Sequence, residues 1–329
     1  MLKGDSTDWL LGEENPSVRY FALKDLLSKS ERNSDVVEAR QRIMEIGIVP
    51  EILAKQKPGG YWGNPEDFYI RSKYRGTVWQ LIILAELGAD GKDERAARTC
   101  EFILRNSQDR QSEGFAYIGT EKNGGQHSGV IPCLTGNMVW SLIRLGYLAD
   151  ARVQKGIEWI AKYQRFDDKI KEAPRGWPYE EKPRCWGRHC CHMGVVKALK
   201  ALAEIPADRR SAEVNDTLKK GVEYLLKHHI FKRSHDLNRV SKPSWLQFGF
   251  PLMWQTDALE ILGILTKLGC RDERMQETVD LVVSKQDEKG RWLLESTFNG
   301  RFLVNIEHKG KQSKWVTLNA LRALKTYYS

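Results

Sequence analysis

Pairs of helical patterns recur along the chain. Apolar residues fall at i, i+3, i+4 and i+7 in 75–88, 93–108, 133–148, 151–164, 189–205, 211–229, 251–269, 272–286 and 313–328. In 272–286 the stripe is Met275, Val279, Val282 and Val283, the spacing of one helix face. The first member of each pair is more uniformly apolar than the second. That contrast predicts inner helices packed on both sides and outer helices wetted on one face. Gly88, Gly146 and Gly269 end inner segments, where a left-handed residue closes a helix. Asp93, Asp150, Ser211 and Asp272 open outer ones, as N-caps do. The N-terminal stretch adds 15–27, with Pro16 near a helix start, and one long helix from Asp35 to Gln56. The predicted architecture is all-α, a single domain over residues 1–329, with six inner and five outer helices bent into a closed ring. An open superhelix of the same hairpins is the alternative.

The loops between pairs repeat as well. Gln56-Lys-Pro-Gly-Gly60-Tyr-Trp62 and Gln286-Asp-Glu-Lys-Gly290-Arg-Trp292 share one form; Gln108…Gly114-Phe115, Gln164…Gly176-Trp177 and Trp245…Gly249-Phe250 are looser copies. A glutamine amide can donate to the carbonyls that helix ends leave unpaired. Gln56, Trp62, Gln286 and Trp292 are therefore read as structural.

These loops resemble the Q-x3-G-x-W loops of the prenyltransferase and squalene-cyclase repeat superfamily. The resemblance implies an α/α toroid of about six helical hairpins around a central cavity. It also implies an apolar, isoprenoid-type small molecule as substrate. Two departures limit it. The D-x-D-D motif with which squalene-type cyclases protonate an alkene is missing, since Asp167-Asp168 is only a pair near a helix end. The Asp, Cys and His zinc set of protein prenyltransferase β subunits has no Asp-x-Cys counterpart before an inner helix.

Composition changes this picture little. The chain has 329 residues, 41% hydrophobic and 29% charged, which suits a packed domain. No apolar run is long enough to span a bilayer, and no secretory signal is read at the start. The net charge of +9 comes from 52 basic and 43 acidic residues scattered in mixed sign. No basic block or nucleic-acid motif accompanies it, so no nucleic-acid partner is expected. Six cysteines without a signal point to free thiols in a cytoplasmic setting.

The chemistry concentrates in Arg184-Cys185-Trp186-Gly187-Arg188-His189-Cys190-Cys191-His192, with three cysteines and two histidines within eight residues. Cys133 opens the preceding inner helix and would approach Cys191 and His192. Thiolate and imidazole are the donors zinc prefers, and three protein ligands with an open position is the catalytic pattern. The arrangement locally resembles lanthionine cyclases, in which a Cys on one inner helix and a Cys-His pair on the next bind zinc. That resemblance implies Cys133, Cys191 and His192 as the metal ligands. His189, one turn before His192, is a candidate fourth ligand, outer-sphere partner or general acid, and Cys185 competes as a ligand. Buried packing of the same residues is the alternative. Asp257, near an inner-helix start, is expected either to cap a helix or to act as an acid or base. Arg75 with Arg71 and Lys73 either binds a diphosphate at the cavity mouth or belongs to a solvated entry loop. The superfamily resemblance implies that Trp79, Trp140 and Trp254 line an apolar cavity; core packing is the alternative. The functional expectation is a zinc-dependent enzyme, a transferase or a cyclase-like lyase. The alternative is a non-catalytic toroid that binds a lipid or peptide.

Overall fold

A computed structural model describes residues 2–329. Its α-helices, in chain order, are Thr7–Leu10 (α1), Pro16–Phe21 (α2), Ser34–Arg42 (α3), Ile48–Ala54 (α4), Thr77–Glu86 (α5), Glu94–Asn106 (α6), Pro132–Arg144 (α7), Ala151–Tyr163 (α8), His192–Ala203 (α9), Ala212–Lys227 (α10), Ala258–Lys267 (α11), Gln276–Ser284 (α12) and Lys314–Tyr328 (α13). Three two-stranded antiparallel ribbons decorate the loops. The fold is all-α and built of α/α hairpins, the series expected of a toroid chain. No helix among the described residues is long and apolar enough to cross a membrane.

Two compact units divide the chain. The first comprises Lys55–Tyr224 with Met253–Gln255. Inside it α5, α7 and α9 lie side by side, α5 against α7 and α7 against α9, with α6 backing α5 and α8 backing α7. The contrast in apolarity is realised as predicted. Every residue from Thr77 to Ala85 of α5 is buried. In α6 the buried set is one face, including Ala96, Cys100, Ile103 and Leu104. Gly136 sets the spacing of α7 and α9, because a Cβ there would stand 2.5 Å from the Lys197 backbone carbonyl. The second unit holds Met1–Ala54, Leu225–Leu252 and Thr256–Ser329. Within it α13 packs against α11, α1 and α2.

Most predicted segments appear with trimmed ends. The exception is 35–56, which divides into α3 and α4. Gly47 takes φ +82° there, and Pro50 has no amide for a bond to the carbonyl of Ile46 and would clash with it. Proline is tolerated only because it falls in the first turn of α4.

The repeat loops work as internal clips. Gln56 Nε2 donates to the Arg95 carbonyl at 2.7 Å, and Gln108 Nε2 donates to the Arg152 carbonyl at 2.7 Å. Both carbonyls lie in the first turn of an outer helix rather than at a helix C-terminus. The motif's aromatic residue is fixed by a threonine on the following inner helix. Trp62, Phe115 and Trp292 donate their amides to Thr77 (3.3 Å), Thr135 (3.0 Å) and Thr317 (3.0 Å). Outer-helix starts repeat a second device. Asp93, Asp150 and Asp272 each cap the amide two residues on and hold that residue's guanidinium, on Arg95, Arg152 and Arg274.

Connections are uneven in length. Those that follow inner helices of the first unit, 87–93 and 145–150, are short. Those that precede them, 55–76, 107–131 and 164–191, are long. Long ordered loops on a rigid scaffold are where function concentrates.

Candidate functional site

The starts of α5, α7 and α9 bring the site together. Pro132 occupies the first turn of α7, where its fixed φ suits the helix and no amide is needed. This places Cys133 at the mouth of that helix. Cys191 is the N-cap residue of α9. Cys185 reaches the same place from the long loop before it. Burial pushes the Cys133 thiol well up, and the neighbouring Cys191 and Cys185 thiols push the same way while Lys197 opposes them. Cys185 is pushed up to about 12, by burial first and by Cys191 second.

Tyr69 stands beside these thiols. Burial pushes its hydroxyl well above the usual value, with Cys133 and Cys185 adding to the effect. Its ring stacks on Trp79 at 4.7 Å between centroids and 17° between planes. Trp79 in turn donates its indole N–H to the Tyr69 carbonyl at 2.9 Å. Tyr74 completes the wall at 5.3 Å from Trp79. It adopts φ +70°, uncommon for a bulky residue. Gln80 Nε2 holds its carbonyl (3.1 Å) and Gln255 Nε2 its hydroxyl (3.2 Å). Met253, also left-handed at φ +54°, accepts from Asn137 Nδ2 through its carbonyl at 3.1 Å. Such conformations persist where their surroundings over-determine them, and they gather at binding sites.

Tyr69 and Cys133 both keep accessible surface, yet burial dominates their titration. Their surroundings are the side chains gathered at the starts of α5, α7 and α9. The lining is aromatic and thiol, with the fully buried ammonium of Lys197 behind Cys133.

The expected residues divide. Cys133 and Cys191 come together, with Cys185 beside them, and Trp79 walls the same space. Trp254 lies next to this group, with the Lys73 ammonium 5.1 Å from its ring. Trp140 does not join them. It sits further along α7, with the Lys200 ammonium 4.0 Å over its ring, and Lys200 also pairs with Glu86 at the end of α5. Arg75 is exposed beside the α5 cap. His189 turns outward. It is half exposed, and its Nδ1 lies 3.1 Å from both Asp168 Oδ1 and the Lys169 amide. Cys190 faces away too, where its sulfur accepts from the Asp167 amide at 3.2 Å. Asp257 is the N-cap of α11. Its Oδ1 accepts from the Glu260 amide (2.8 Å) and its Oδ2 from the Gly249 amide (2.9 Å). Both oxygens serve backbone donors, the capping alternative of the sequence reading.

The metal expectation meets a different geometry. The His192 ring lies 5.6 Å from the Tyr224 ring. Among the described residues no group of three or more His, Cys, Asp or Glu side chains converges to hold a metal ion. Cys133, Cys191 and His192 stand at neighbouring helix starts without forming a closed ligand set.

Sequence reasoning missed three features. Tyr69 lies in the loop before α5, which the sequence marked only for its cations Arg71, Lys73 and Arg75. Lys197 is one of two lysines, with Lys200, in a mostly apolar inner helix, and it is the fully buried one. The third is a histidine–carboxylate pair. His127 Nδ1 lies 2.6 Å from Asp109 Oδ2, and its ring stacks on Trp177 at 4.2 Å and 12°. Asp109 sits inside a structural repeat loop, which masked it.

No protein-family model matches the chain, and no curated protein matches it. Solved structures do. A type II terpene cyclase, MstE from Scytonema, is 14% identical over 94% of this chain and 87% of its own, with a TM-score of 0.41. A protein from Actinoplanes is 13% identical over 95% and 90%, with a TM-score of 0.45. A family 76 glycoside hydrolase from a bovine Bacteroides thetaiotaomicron strain is 11% identical over 96% and 68%, with a TM-score of 0.47. These likenesses concern the path of the chain. The functional reading rests on this chain's own residues.

Proposed function

We propose that the space walled by Tyr69, Tyr74, Trp79, Cys133 and Cys191 binds an apolar, isoprenoid-type small molecule, and that the protein is an enzyme acting on it through its thiols. The observation that supports this is the gathering of the stacked Tyr69–Trp79 pair and the Cys133 and Cys191 thiols at the starts of α5, α7 and α9. An aromatic-walled space favours apolar ligands and excludes the water that would compete with a thiol nucleophile. The thiols lie at the amide-rich starts of α7 and α9, where partial positive charge favours a thiolate over a thiol. Lys197 favours it further. Burial opposes both, so the nucleophile forms only when its desolvation is offset.

Zinc is part of the proposal as a guest of Cys133, Cys191 and His192. Holding it requires these side chains to turn toward one another. A bound zinc ion would supply a thiolate, or a nucleophilic water, at neutral pH. Zinc analysis of untagged wild type and Cys191→Ser measures whether they do so. About one ion per chain, lost in the variant, supports the site; none in either after zinc resupply removes it.

Ligand binding is tested by titrating a C15 prenyl alcohol while following tryptophan fluorescence, with Trp79 and Trp254 as local reporters. Saturable quenching in the wild type is expected, weakened at least about tenfold by the space-filling change Cys133→Leu, roughly 1.4 kcal/mol. Equal binding by both proteins would sink the proposed location. Binding without turnover of prenyl diphosphate and thiol substrates would make the protein a carrier.

A further inference from the structure

The loop between α8 and α9 doubles back just before the helix begins. Trp186 and Cys190 pair across an isolated antiparallel bridge. The Cys191 amide donates to the Cys185 carbonyl at 2.8 Å, one step outward on the same ladder. Cys185 therefore stands directly opposite Cys191. Opposed residues of an antiparallel pair have Cα atoms about 4.5–5.5 Å apart and project their side chains from the same face. A disulfide joins Cα atoms about 4.4–6.8 Å apart. Trp186 and Cys190 take the other face, where Trp186 is fully buried and Cys190 is engaged with the Asp167 amide. The alternation of a strand thus separates the adjacent cysteines, and of the two it is Cys191 that is delivered to Cys185. Both thiols are free and both are partly accessible.

We propose that Cys185 and Cys191 form a reversible cross-strand disulfide by exchange with a low-molecular-weight disulfide such as oxidised glutathione. One protein thiolate attacks a sulfur of the small disulfide. A protein–glutathione bond forms, the glutathione S–S bond breaks, and one glutathione thiolate leaves. The second protein thiol loses its proton to solvent and attacks the modified protein sulfur, releasing the second glutathione. Two protein thiols are oxidised and one small disulfide is reduced to two thiols. The bond closes a loop of five intervening residues. Its consequence, which rests on the function proposed above, is regulatory. Oxidation takes Cys191 out of the thiol group it shares with Cys133 and ties the start of α9 to its loop.

The test uses the full chain equilibrated at a series of reduced-to-oxidised glutathione ratios, quenched in acid, alkylated and digested without reduction. Trypsin separates Cys185–Arg188 from His189–Lys197, so the bond appears as these two peptides joined, lighter by two hydrogen atoms than their sum. The joined species is expected in wild type, Cys190→Ser and Cys133→Ser, and is expected to be lost in Cys185→Ser and Cys191→Ser. A linkage through Cys133 or Cys190, or mixed glutathione adducts alone at every ratio, overturns the proposal. Wild type and Cys190→Ser decide the matter even if another variant fails to fold. Prenyl-alcohol affinity is then compared in the reduced and oxidised wild type. A fall of at least about tenfold on oxidation supports the regulatory role, and an unchanged affinity overturns that role while the mapped bond stands.

Discussion

A buried threonine hydroxyl is the smallest unit on which the repeat depends. Thr77, Thr135 and Thr317 are all buried, and each accepts the amide of an aromatic residue in the loop ahead of it. Valine has the same shape without the acceptor, so Thr135→Val and Thr317→Val leave a buried amide unpaired. Each is expected to destabilise the protein by about 1–3 kcal/mol in chemical denaturation. Thr77→Val, whose bond is longer at 3.3 Å, is expected to cost least; the reverse order would show that the bonds are incidental. A second residue-scale prediction concerns reactivity. Only the thiolate is alkylated, and burial pushes Cys185 up to about 12. Its iodoacetamide rate in reduced protein should rise about tenfold per pH unit from 7 to 10. A plateau near pH 8, followed by peptide mass spectrometry, would contradict this. Residues also mark where the sequence was readable. Asp257 precedes a helical run with Glu260 three positions on, the sign of a cap, and the structure makes it one. Tyr69 and the His127–Asp109 pair carry no such sign, because their partners are remote in the chain and meet only when the loops fold.

At the scale of elements, helix starts and stops were legible because glycine and aspartate act locally. Gly88, Gly146 and Gly269 all adopt positive φ at inner-helix ends. The division of α3 from α4 was less legible, since the apolar period runs on across Gly47 and Pro50. The sorting of the cysteine-rich stretch was hidden for a similar reason. Its helix was expected from residue 189, whereas residues up to Cys190 belong to a loop folded back through the isolated Trp186–Cys190 bridge, which sends neighbouring side chains in opposite directions. The Asp–Arg clamps yield predictions of their own. Asp150→Ala removes the cap and one of the two carboxylates on the Arg152 guanidinium, the other being Glu101, and a loss of about 0.5–2 kcal/mol is expected. Asp272 is held down to about 2, chiefly by the Arg274 guanidinium. A carboxyl whose folded pKa lies below its unfolded value stabilises the fold above the unfolded pKa and loses that contribution as pH falls through the folded one. Between about pH 4 and pH 2 the stability of Asp272→Asn should therefore fall less steeply than that of the wild type. Parallel curves would remove the clamp from the account of acid stability.

For the molecule as a whole, the first residues are tied to the last repeat loop of their own unit. The Lys3 amide donates to Gln286 Oε1 at 2.7 Å and Ser6 Oγ donates to the Gly290 carbonyl at 2.9 Å. Gly290, at φ +76°, leaves no room for a Cβ against Gly4. Gln286 Nε2 also donates to the Gly4 carbonyl at 3.4 Å, the kind of contact that Gln56 makes with α6 and Gln108 with α8. Deleting residues 1–6 should speed hydrogen exchange in α12 and at 286–292 while leaving α7 unchanged; uniform acceleration would mean that the segment stabilises everything equally.

The uneven connections determine how the chain would come apart. A protease meets long connections ahead of inner helices and short turns within hairpins, and exposed loops are cut first. Early nicks therefore fall between hairpins, and each fragment keeps an inner helix with the outer helix that backs it. Pieces of that kind retain their own packed interface, which makes this chain a candidate for splitting into separately expressed halves that reassemble.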